Sequence, residues 1–367
     1  MRARSALVTT GLLLFGCSQA DPAFEVREAK EIGLVPNAPD IIGRDGGDSA
    51  VVWGRSVWLY GDTVLTIDDD VGTNWHSNSA SSTTDLDASD GLGDFVEEHE
   101  ATSGAVAYFL PETDDEARFN SAHRGDPCEE TPCGDRWAIW PGAMVFDEER
   151  QRALLFYGLV FVGEEALAGG QSLAIWDDPA SPPRRPAFHP DSDHPTLLFP
   201  EGELPVGAAA LIEGDELFAF GCPKDYVSYP CKLAKIALSQ VEDPAAWRYW
   251  NGDDWTADPA EAETLFDGWV TMSVFFNPHI GAWMTVYSSL FSNDVVARTA
   301  PALTGPWSEE RLVFTADRKD EDSWTYDALV HPEFTEEDGK VLYMTFTRPN
   351  DNGWFGSETP LVRVELE

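Results

Sequence analysis

The fold of this chain is decided by residues 43–63, which read GRDGGDSAVVWGRSVWLYGDT. Residues 49–53 and 57–60 are rich in β-branched, aromatic and alternating apolar residues, a composition that is typical of strands. The Gly-Arg pair between them predicts a turn. The stretch is therefore expected to form a β-hairpin whose two strands run antiparallel.

Acidic residues flank this predicted hairpin. Asp45 and Asp48 precede the first strand, and Asp62 follows the second. Because the strands are antiparallel, the start of the first lies beside the end of the second. The sequence therefore predicts three carboxyl groups at one end of one hairpin.

The hairpin pattern recurs along the chain. Each copy has an apolar first strand, a turn, and an apolar or aromatic second strand. The second strands of the four later copies lie at 153–158, 217–221, 283–288 and 341–347. Weaker strand patterns follow each hairpin, so that about four strands recur roughly every sixty residues. This repetition predicts an all-β, five-bladed β-propeller.

The last copy indicates how the ring closes. Only one further strand pattern, at 360–366, follows the final hairpin, which leaves the fifth blade one strand short. The N-terminal segment 24–33 can supply the missing strand and remove an open edge that would invite aggregation. A β-sandwich is the competing architecture, but it explains neither the five copies nor the leftover strand. We expect one propeller domain over residues 24–367.

Residues 1–17 have the pattern of a lipoprotein signal peptide. A positive start and an apolar core precede the run LFGC, which resembles a bacterial lipobox. The resemblance implies that Cys17 is acylated and becomes the first residue of the mature chain, with residues 18–23 as a short tether. Ser18 after the cysteine favours the outer membrane. We expect an exported protein at the bacterial outer membrane or cell surface that contacts the membrane only through its lipid.

The charge and the cysteines restrict the partners further. A formal net charge of −41 argues against nucleic acid, whose phosphates would be repelled. Apart from Cys17, the cysteines form two local pairs, Cys128 with Cys133 and Cys222 with Cys231. In an exported protein such pairs predict disulfides. Zinc is the alternative, although the spacing does not fit a zinc ribbon.

Calcium is the one metal that the acidic composition suggests. The densest acidic cluster is residues 68–70, but it lacks the spaced ligands of a calcium loop. We expect no cofactor, and a structural calcium ion is the alternative. We also expect the protein to be a monomer.

Residues 43–63 resemble the first blade of a bacterial propeller family of unknown function that includes endo-D-arabinanases, glycoside hydrolases that cut mycobacterial-type arabinan. The matching features are the Asp45-Gly46 pair and the run WLYGDT at 58–63. Further matches are WPG at 140–142, NP at 277–278, RT at 298–299, TGPWS at 304–308, and Tyr326 with HP at 331–332. The resemblance spans about residues 30–366 and implies a five-bladed, sugar-active propeller.

Glycoside hydrolysis needs two carboxyl groups with different proton affinities beside one sugar ring. Crowding acids in a funnel raises some of their pKa values, which keeps one of them protonated near neutral pH. The candidate catalytic acids are Asp45, Asp62, Asp225 and Asp327. We expect Asp45 to be the general base or nucleophile and Asp62 its acid partner or a pKa modulator, although both also fit turn residues. Asp48 better fits a structural hydrogen-bond acceptor or a solvent-facing side chain.

Five further residues are expected on the same face and are candidates for substrate binding: Asn78, Trp140, Tyr326, His331 and Arg348. His331 also fits a buried core residue. We therefore predict an arabinanase-like glycoside hydrolase that acts on an extracellular polysaccharide or oligosaccharide. The alternative is a non-catalytic surface propeller that binds glycan or protein. Its motivation is the acidic insert 111–135 and Ala143, which stands where a polar or acidic residue is expected.

Overall fold

The computed structural model describes residues 23–164, 166–320, 323–353 and 355–367. The predicted signal peptide, its Cys17 and all but the last residue of the predicted tether lie outside the described residues. Within the described part of the chain, no helix is both long and apolar enough to cross a membrane.

Five antiparallel sheets form the ring and confirm the predicted β-propeller. The N-terminal strand is β1 (Val26–Leu34). Blade 1 contains β2 (Ile41–Val52), β3 (Arg55–Leu65), β4 (Trp75–His76), β5 (Ser79–Thr83) and β6 (Val96–Glu97). Helix α1 (Asp114–Ala122) then precedes blade 2, which contains β7 (Arg136–Asp147), β8 (Arg152–Val162), β9 (Ala166–Trp176) and β10 (Phe199–Pro200).

The remaining blades follow the same plan. Blade 3 contains β11 (Val206–Glu213), β12 (Glu216–Gly221), β13 (Pro230–Ala237), β14 (Arg248–Trp250), β15 (Trp255–Thr256) and β16 (Phe266–Asp267). Blade 4 contains β17 (Ser273–Asn277), β18 (Ala282–Ser288), β19 (Asp294–Ala300) and β20 (Arg311–Thr315). Blade 5 contains β21 (Tyr326–Val330), β22 (Val341–Pro349), β23 (Ser357–Glu358) and β24 (Pro360–Leu366). Short 3₁₀ turns lie at Leu238–Gln240, Pro244–Ala246, Pro259–Glu261, Pro332–Phe334 and Glu337–Gly339.

Both faces of a blade are buried, because each blade packs against two neighbours. On β3, Val57 and Leu59 join the apolar cluster shared with blade 2, whereas Trp58 and Tyr60 join the cluster shared with blade 5. This is the period of two that a strand imposes on its side chains. Comparable clusters lie between blades 2 and 3, 3 and 4, and 4 and 5. The apolar runs of the second strands therefore hold the ring together.

The ring closes as the sequence predicts. Strand β1 pairs antiparallel with β24 from Val26 opposite Leu366 to Leu34 opposite Pro360. The N-terminal strand thus becomes the outer strand of blade 5 and covers an edge that would otherwise be open.

An ion-pair clamp reinforces this closure. The guanidinium of Arg348 donates to both carboxylate oxygens of Glu31 at 2.9 Å and to Glu358 at 2.7 Å. It thereby ties β1 to β22 and β23 of blade 5. Arg348, a candidate for substrate binding from the sequence, is engaged in closing the ring.

The acidic insert 111–135 is not a plain loop, because it contains α1. Thr113 and Glu116 form a capping box at its start, and acidic residues fill its first turn, where they favour the helix dipole. Downstream of α1, Cys128 bonds to Cys133. The second predicted disulfide, Cys222 to Cys231, is also present, so both pairings are confirmed.

Replacing Arg348 with leucine should lower the free energy of unfolding by about 1–3 kcal/mol, because two partly buried carboxylates would lose their partner. Arg118→Leu is the matched control, since Arg118 pairs with Asp115 at the surface, where both side chains are more than 70% exposed, and its loss should cost at most about 0.5 kcal/mol. Chemical denaturation of the two variants measures both effects. Equal losses would contradict a role for Arg348 in closure.

Candidate active site

The acids of the opening hairpin lie inside its strands, not at their ends, because β2 and β3 are longer than the sequence pattern indicates. Three register shifts interrupt their pairing, and two of them are bulges on either side of Gly46. On one side, Asp45 lies opposite both Gly61 and Asp62. On the other side, Gly47 is an extra residue on β2. Paired bulges bend a strand and re-aim its side chains, so the carboxyl groups leave the regular alternation of the sheet.

Glycine makes the bulges possible. Gly46 and Gly47 have φ values of 78° and 119°, in the left-handed region that glycine adopts without steric cost. A Cβ atom on Gly47 would lie 3.2 Å from the ring of Tyr60, closer than an ordinary contact. The Asp-Gly-Gly-Asp run is therefore a bulged strand segment that carries an acid on each side.

A cavity of about 320 Å³ opens on the ring axis beside this segment. Four acids line it together with Trp140 of blade 2: Asp45, Asp48 and Asp62 from blade 1, and Asp327 from blade 5. No lysine, arginine or histidine occurs among the described residues that line it. The carboxyl groups therefore share a partly desolvated space without a cation on its wall.

Asp45 is held by a tyrosine from blade 5. The hydroxyl of Tyr326 donates to Oδ1 of Asp45 at 2.7 Å. Burial raises the pKa of Asp45 to about 7 against this hydrogen bond, and the negative charges of Asp327 and Asp62 act in the same direction as burial. Asp45 is therefore poised between its two protonation states at neutral pH.

Asp62 has a different set of neighbours. Burial raises its pKa, but a hydrogen bond from Nε1 of Trp140 at 3.0 Å and the positive charge of Arg136 both lower it. The indole N–H of Trp75 has no acceptor within hydrogen-bond distance, yet it lies near enough to Asp62 to lower the pKa further. Burial outweighs these neighbours, so the pKa of Asp62 stays above its usual range, although they oppose the shift.

Asp48 and Asp327 complete the acidic wall. Burial raises the pKa of Asp48 to about 7, although Asp48 accepts a hydrogen bond from the backbone N–H of Met144 at 2.9 Å. Burial also raises the pKa of Asp327 to about 6. The backbone of Asp327 has a φ of 51°, a left-handed conformation that costs a residue with a side chain about 1–2 kcal/mol. Such local strain is found mostly at functional sites.

Trp140 and three of the four candidate acids line the axial cavity, and Tyr326 contacts one of these acids, Asp45, through its hydroxyl. The fourth candidate, Asp225, does not join them. It lies exposed in the disulfide-bonded loop of blade 3, where its backbone exchanges hydrogen bonds with Ser228. Asp225 is not among the residues that line the axial cavity.

Asn78 of blade 1 has a structural role, because its side chain is hydrogen-bonded to the segment that leads into blade 2 and to blade 2 itself. Its amide nitrogen donates to the carbonyls of Leu110 and Ile139, and its amide oxygen accepts from the N–H groups of Phe109 and Leu110. The side chain is fully buried. Its polar atoms therefore serve the backbone rather than a ligand.

His331 occupies the core, the plainer of its two predicted roles. Its Nδ1 lies 2.6 Å from the hydroxyl of Ser49, its Nε2 lies 2.8 Å from that of Thr345, and its ring stacks on Trp58 with centroids 4.1 Å apart. Burial lowers the pKa of His331 to about 3. The ring is therefore a neutral, fully enclosed packing element.

The candidate calcium cluster is occupied by local hydrogen bonds. Asp69 accepts from the backbone N–H groups of Val71 and Thr73, and its second oxygen lies 3.1 Å from Nε2 of His76. Among the residues that the structure describes, no three or more His, Cys, Asp or Glu side chains are arranged to hold a metal ion.

Comparison with known proteins agrees with the fold and the family expected from the sequence. A family model described as "Domain of unknown function (DUF4185)" matches residues 176–353. This match covers a little less than half of the chain. The Notoamide biosynthesis cluster protein J' of Aspergillus versicolor is 28% identical over 138 residues, which cover 36% of this chain and 37% of that protein. The chain thus spans little more than a third of this relative's length.

Solved structures show the same propeller at low sequence identity. A Bacteroides ovatus protein to which hydrolase activity has been ascribed has a TM-score of 0.59 at 14% identity, over 91% of this chain and 87% of that one. An exo-β-1,3-galactanase of Phanerochaete chrysosporium has a TM-score of 0.52 at 11% identity, over 91% and 64%. An N-acetylgalactosamine deacetylase of F. plautii has a TM-score of 0.50 at 10% identity, over 94% and 95%. The chain therefore has the fold of propeller glycoside hydrolases, a fold that also serves other chemistry on sugars.

The raised pKa values make the stability of the protein depend on pH. Consider a carboxyl whose pKa is higher in the folded state than in the unfolded state. Its contribution to stability is fully present at pH values below the unfolded-state pKa, and it is lost as the pH rises through the folded-state pKa. For Asp48 the loss between pH 5 and pH 8 should be about 2–3 kcal/mol. Chemical denaturation at both pH values should therefore show greater stability at pH 5.

Asp48→Asn isolates this effect, because the amide oxygen still accepts from Met144 and the variant cannot ionise. The difference in unfolding free energy between pH 5 and pH 8 should shrink by about 2–3 kcal/mol in this variant. Asp225→Asn, at an exposed position, should leave the difference unchanged. An unaltered pH dependence in Asp48→Asn would show that this carboxyl is not desolvated in the folded protein.

Proposed function

We propose that this protein is an arabinanase-like glycoside hydrolase that acts on extracellular polysaccharide. The observation that carries the proposal is the pair Asp45 and Asp62, two carboxyl groups with unlike neighbours on the wall of one axial cavity. Hydrolysis of a glycosidic bond needs such a pair. The propeller fold, which an exo-β-1,3-galactanase shares, and the sequence resemblance to endo-D-arabinanases support the same chemistry.

The contacts favour Asp45 as the proton donor. Its charged neighbours, Asp62 and Asp327, are negative, whereas Asp62 has the positive charge of Arg136 and the indole donor of Trp140. One proton shared by the pair therefore resides mainly on Asp45. These roles are the reverse of those that the sequence alone favours.

The reaction then proceeds between the two groups. Asp45 gives its proton to the oxygen of the leaving sugar as the bond from the anomeric carbon to that oxygen breaks. Asp62 either attacks the anomeric carbon or takes a proton from the water that attacks it, according to the separation of the carboxyls. Asp327 keeps the pKa of Asp45 high through its negative charge and acts as a positioning residue.

Asp45→Asn and Asp62→Asn should each lower hydrolysis of the true substrate by roughly a thousandfold or more. The assay measures reducing sugar released from arabinan, arabinogalactan, galactan and xylan. Asp225→Asn should retain wild-type activity, because Asp225 lies outside the cavity. The proposal fails if the wild-type protein releases no sugar from such glycans, or if either cavity variant keeps full activity.

The pH profile tests which carboxyl holds the proton. Activity of the wild-type enzyme should fall as pH rises through about 7, where Asp45 ionises. Tyr326→Phe removes a donor to the ionised form of Asp45, so the alkaline limb of the profile should move upward by roughly one pH unit. Trp140→Phe should instead move the acidic limb upward, because it removes a donor to Asp62. The opposite pattern would show that the proton resides on Asp62.

The alternative is a non-catalytic glycan-binding propeller. Ala143 lines the axial cavity on blade 2 and contributes only a methyl group, so that blade adds no acid to the site. Glycan binding without product release from any polymer would favour this alternative.

We also propose that the protein is exported and lipid-anchored through Cys17. The two disulfides support export, because such bonds persist in oxidising compartments. Metabolic labelling with a fatty acid analogue should mark the wild-type protein, while Cys17→Ser should carry no label. Labelling of both forms would contradict the anchor.

A further inference from the structure

A second cavity adjoins the two central carboxyls. Its volume is about 610 Å³, and Asp45 and Asp62 belong to its wall as well as to the wall of the axial cavity. The remaining wall comes mainly from blades 1 and 5 and their loops. The two cavities therefore meet at Asp45 and Asp62, so that a ligand in either cavity lies beside both carboxyl groups.

Aromatic side chains dominate this second cavity. Trp324 is 67% exposed and Phe355 is 49% exposed, and both line it together with Trp75. The rings of Trp75 and Phe355 lie with centroids 4.5 Å apart, and the guanidinium of Arg136 lies 4.6 Å from the Trp75 ring. Large aromatic surfaces left exposed in a cluster mark a binding site more often than a solvated surface. Here they also adjoin the candidate catalytic pair.

The charges of the two cavities restrict what can bind there. No lysine, arginine or histidine is found among the described residues that line either cavity, whereas Asp320 adds a further acid to the second. A uronic acid or a sulfated sugar would place negative charge against several carboxyls, whereas the nearby Arg136 already stacks on Trp75 and interacts with Asp62. An uncharged sugar ring instead offers a C–H face to the aromatic rings and hydroxyl groups to the carboxylates.

We propose that Trp75, Trp324 and Phe355 form a subsite for an uncharged sugar residue next to the bond that is cleaved. The position of this subsite beside a cleaved bond rests on the proposed function. The binding of an uncharged glycan by the subsite does not rest on it. The axial cavity holds the sugar on one side of that bond, and the aromatic cavity holds the sugar on the other. The protein should therefore prefer a chain that fills both cavities to a single sugar with a small leaving group.

The binding experiment uses Asp45→Asn in the otherwise unchanged chain, so that bound polymer is not consumed. Adding Trp324→Ala should weaken binding of arabinan or galactan about tenfold in isothermal titration. Tyr226→Ala is the matched control, because Tyr226 is an aromatic residue that is 92% exposed and lines neither cavity. Polygalacturonate, a polyanion, should bind at least tenfold more weakly than the neutral polymers.

The kinetic experiment separates the subsite from the chemistry. In the active protein, Trp324→Ala should raise KM for the polymer about tenfold with little change in kcat, whereas Tyr226→Ala should leave both constants unchanged. Phe355→Ala should act in the same direction as Trp324→Ala. Both substitutions are at exposed side chains, so thermal denaturation should match that of Tyr226→Ala.

Failure of the subsite and failure of the proposed function give different results. If no polymer is hydrolysed but Trp324→Ala still weakens neutral-glycan binding, the proposed function is wrong and the aromatic subsite stands. If hydrolysis occurs but Trp324→Ala and Phe355→Ala leave polymer binding and KM unchanged, the subsite is overturned. Equal binding of polygalacturonate and neutral polymer would overturn the restriction to uncharged sugars.

Discussion

The controlling constraint in this propeller is the desolvation of four carboxyl groups around one axis. Carboxyl groups that share a partly desolvated cavity cannot all ionise without a large electrostatic cost. Among the described residues on the wall of this cavity, no basic residue neutralises their charge. Each acid is accommodated differently. Tyr326 donates to Asp45, Trp140 donates to Asp62, and the backbone of Met144 donates to Asp48. Asp45 and Asp62 thus have unlike neighbours, and unlike surroundings are what separates the roles of two carboxyls in acid–base chemistry.

Rigid surroundings are needed to keep acids in such positions, and the ring supplies them. Apolar clusters fill every junction between neighbouring blades, so each sheet is held from both sides. The pairing of β1 with β24 completes blade 5, which carries Tyr326 and Asp327. Closure of the ring therefore acts directly on the site: a loose fifth blade would release the hydroxyl that holds Asp45 and the carboxylate that raises its pKa.

Features with a local sequence signature could be predicted, and features made by distant partners could not. Hairpin repeats, the missing strand and the cysteine pairs each depend on short-range pattern, and all are confirmed. Asn78, His331 and Arg348 differ, because their contacts involve residues between 10 and 317 positions away. The bulges at Gly46 and Gly47 could not be read from strand periodicity either, since a bulge breaks the period. The sequence around Trp75 and Phe355 does not indicate a binding site, because the two residues come together only when blades 1 and 5 pack side by side.

The same distinction explains why the roles proposed for Asp45 and Asp62 rest on the structure and not on the sequence. In the chain the two acids look alike, each beside a glycine in one hairpin. In the fold, Asp45 faces a tyrosine and an aspartate from blade 5, and Asp62 faces an indole and an arginine from blade 2. Proton affinity depends on these neighbours. A hairpin with identical residues in another ring could therefore exchange the two roles, because blades 2 and 5, and not blade 1, decide which carboxyl keeps the proton.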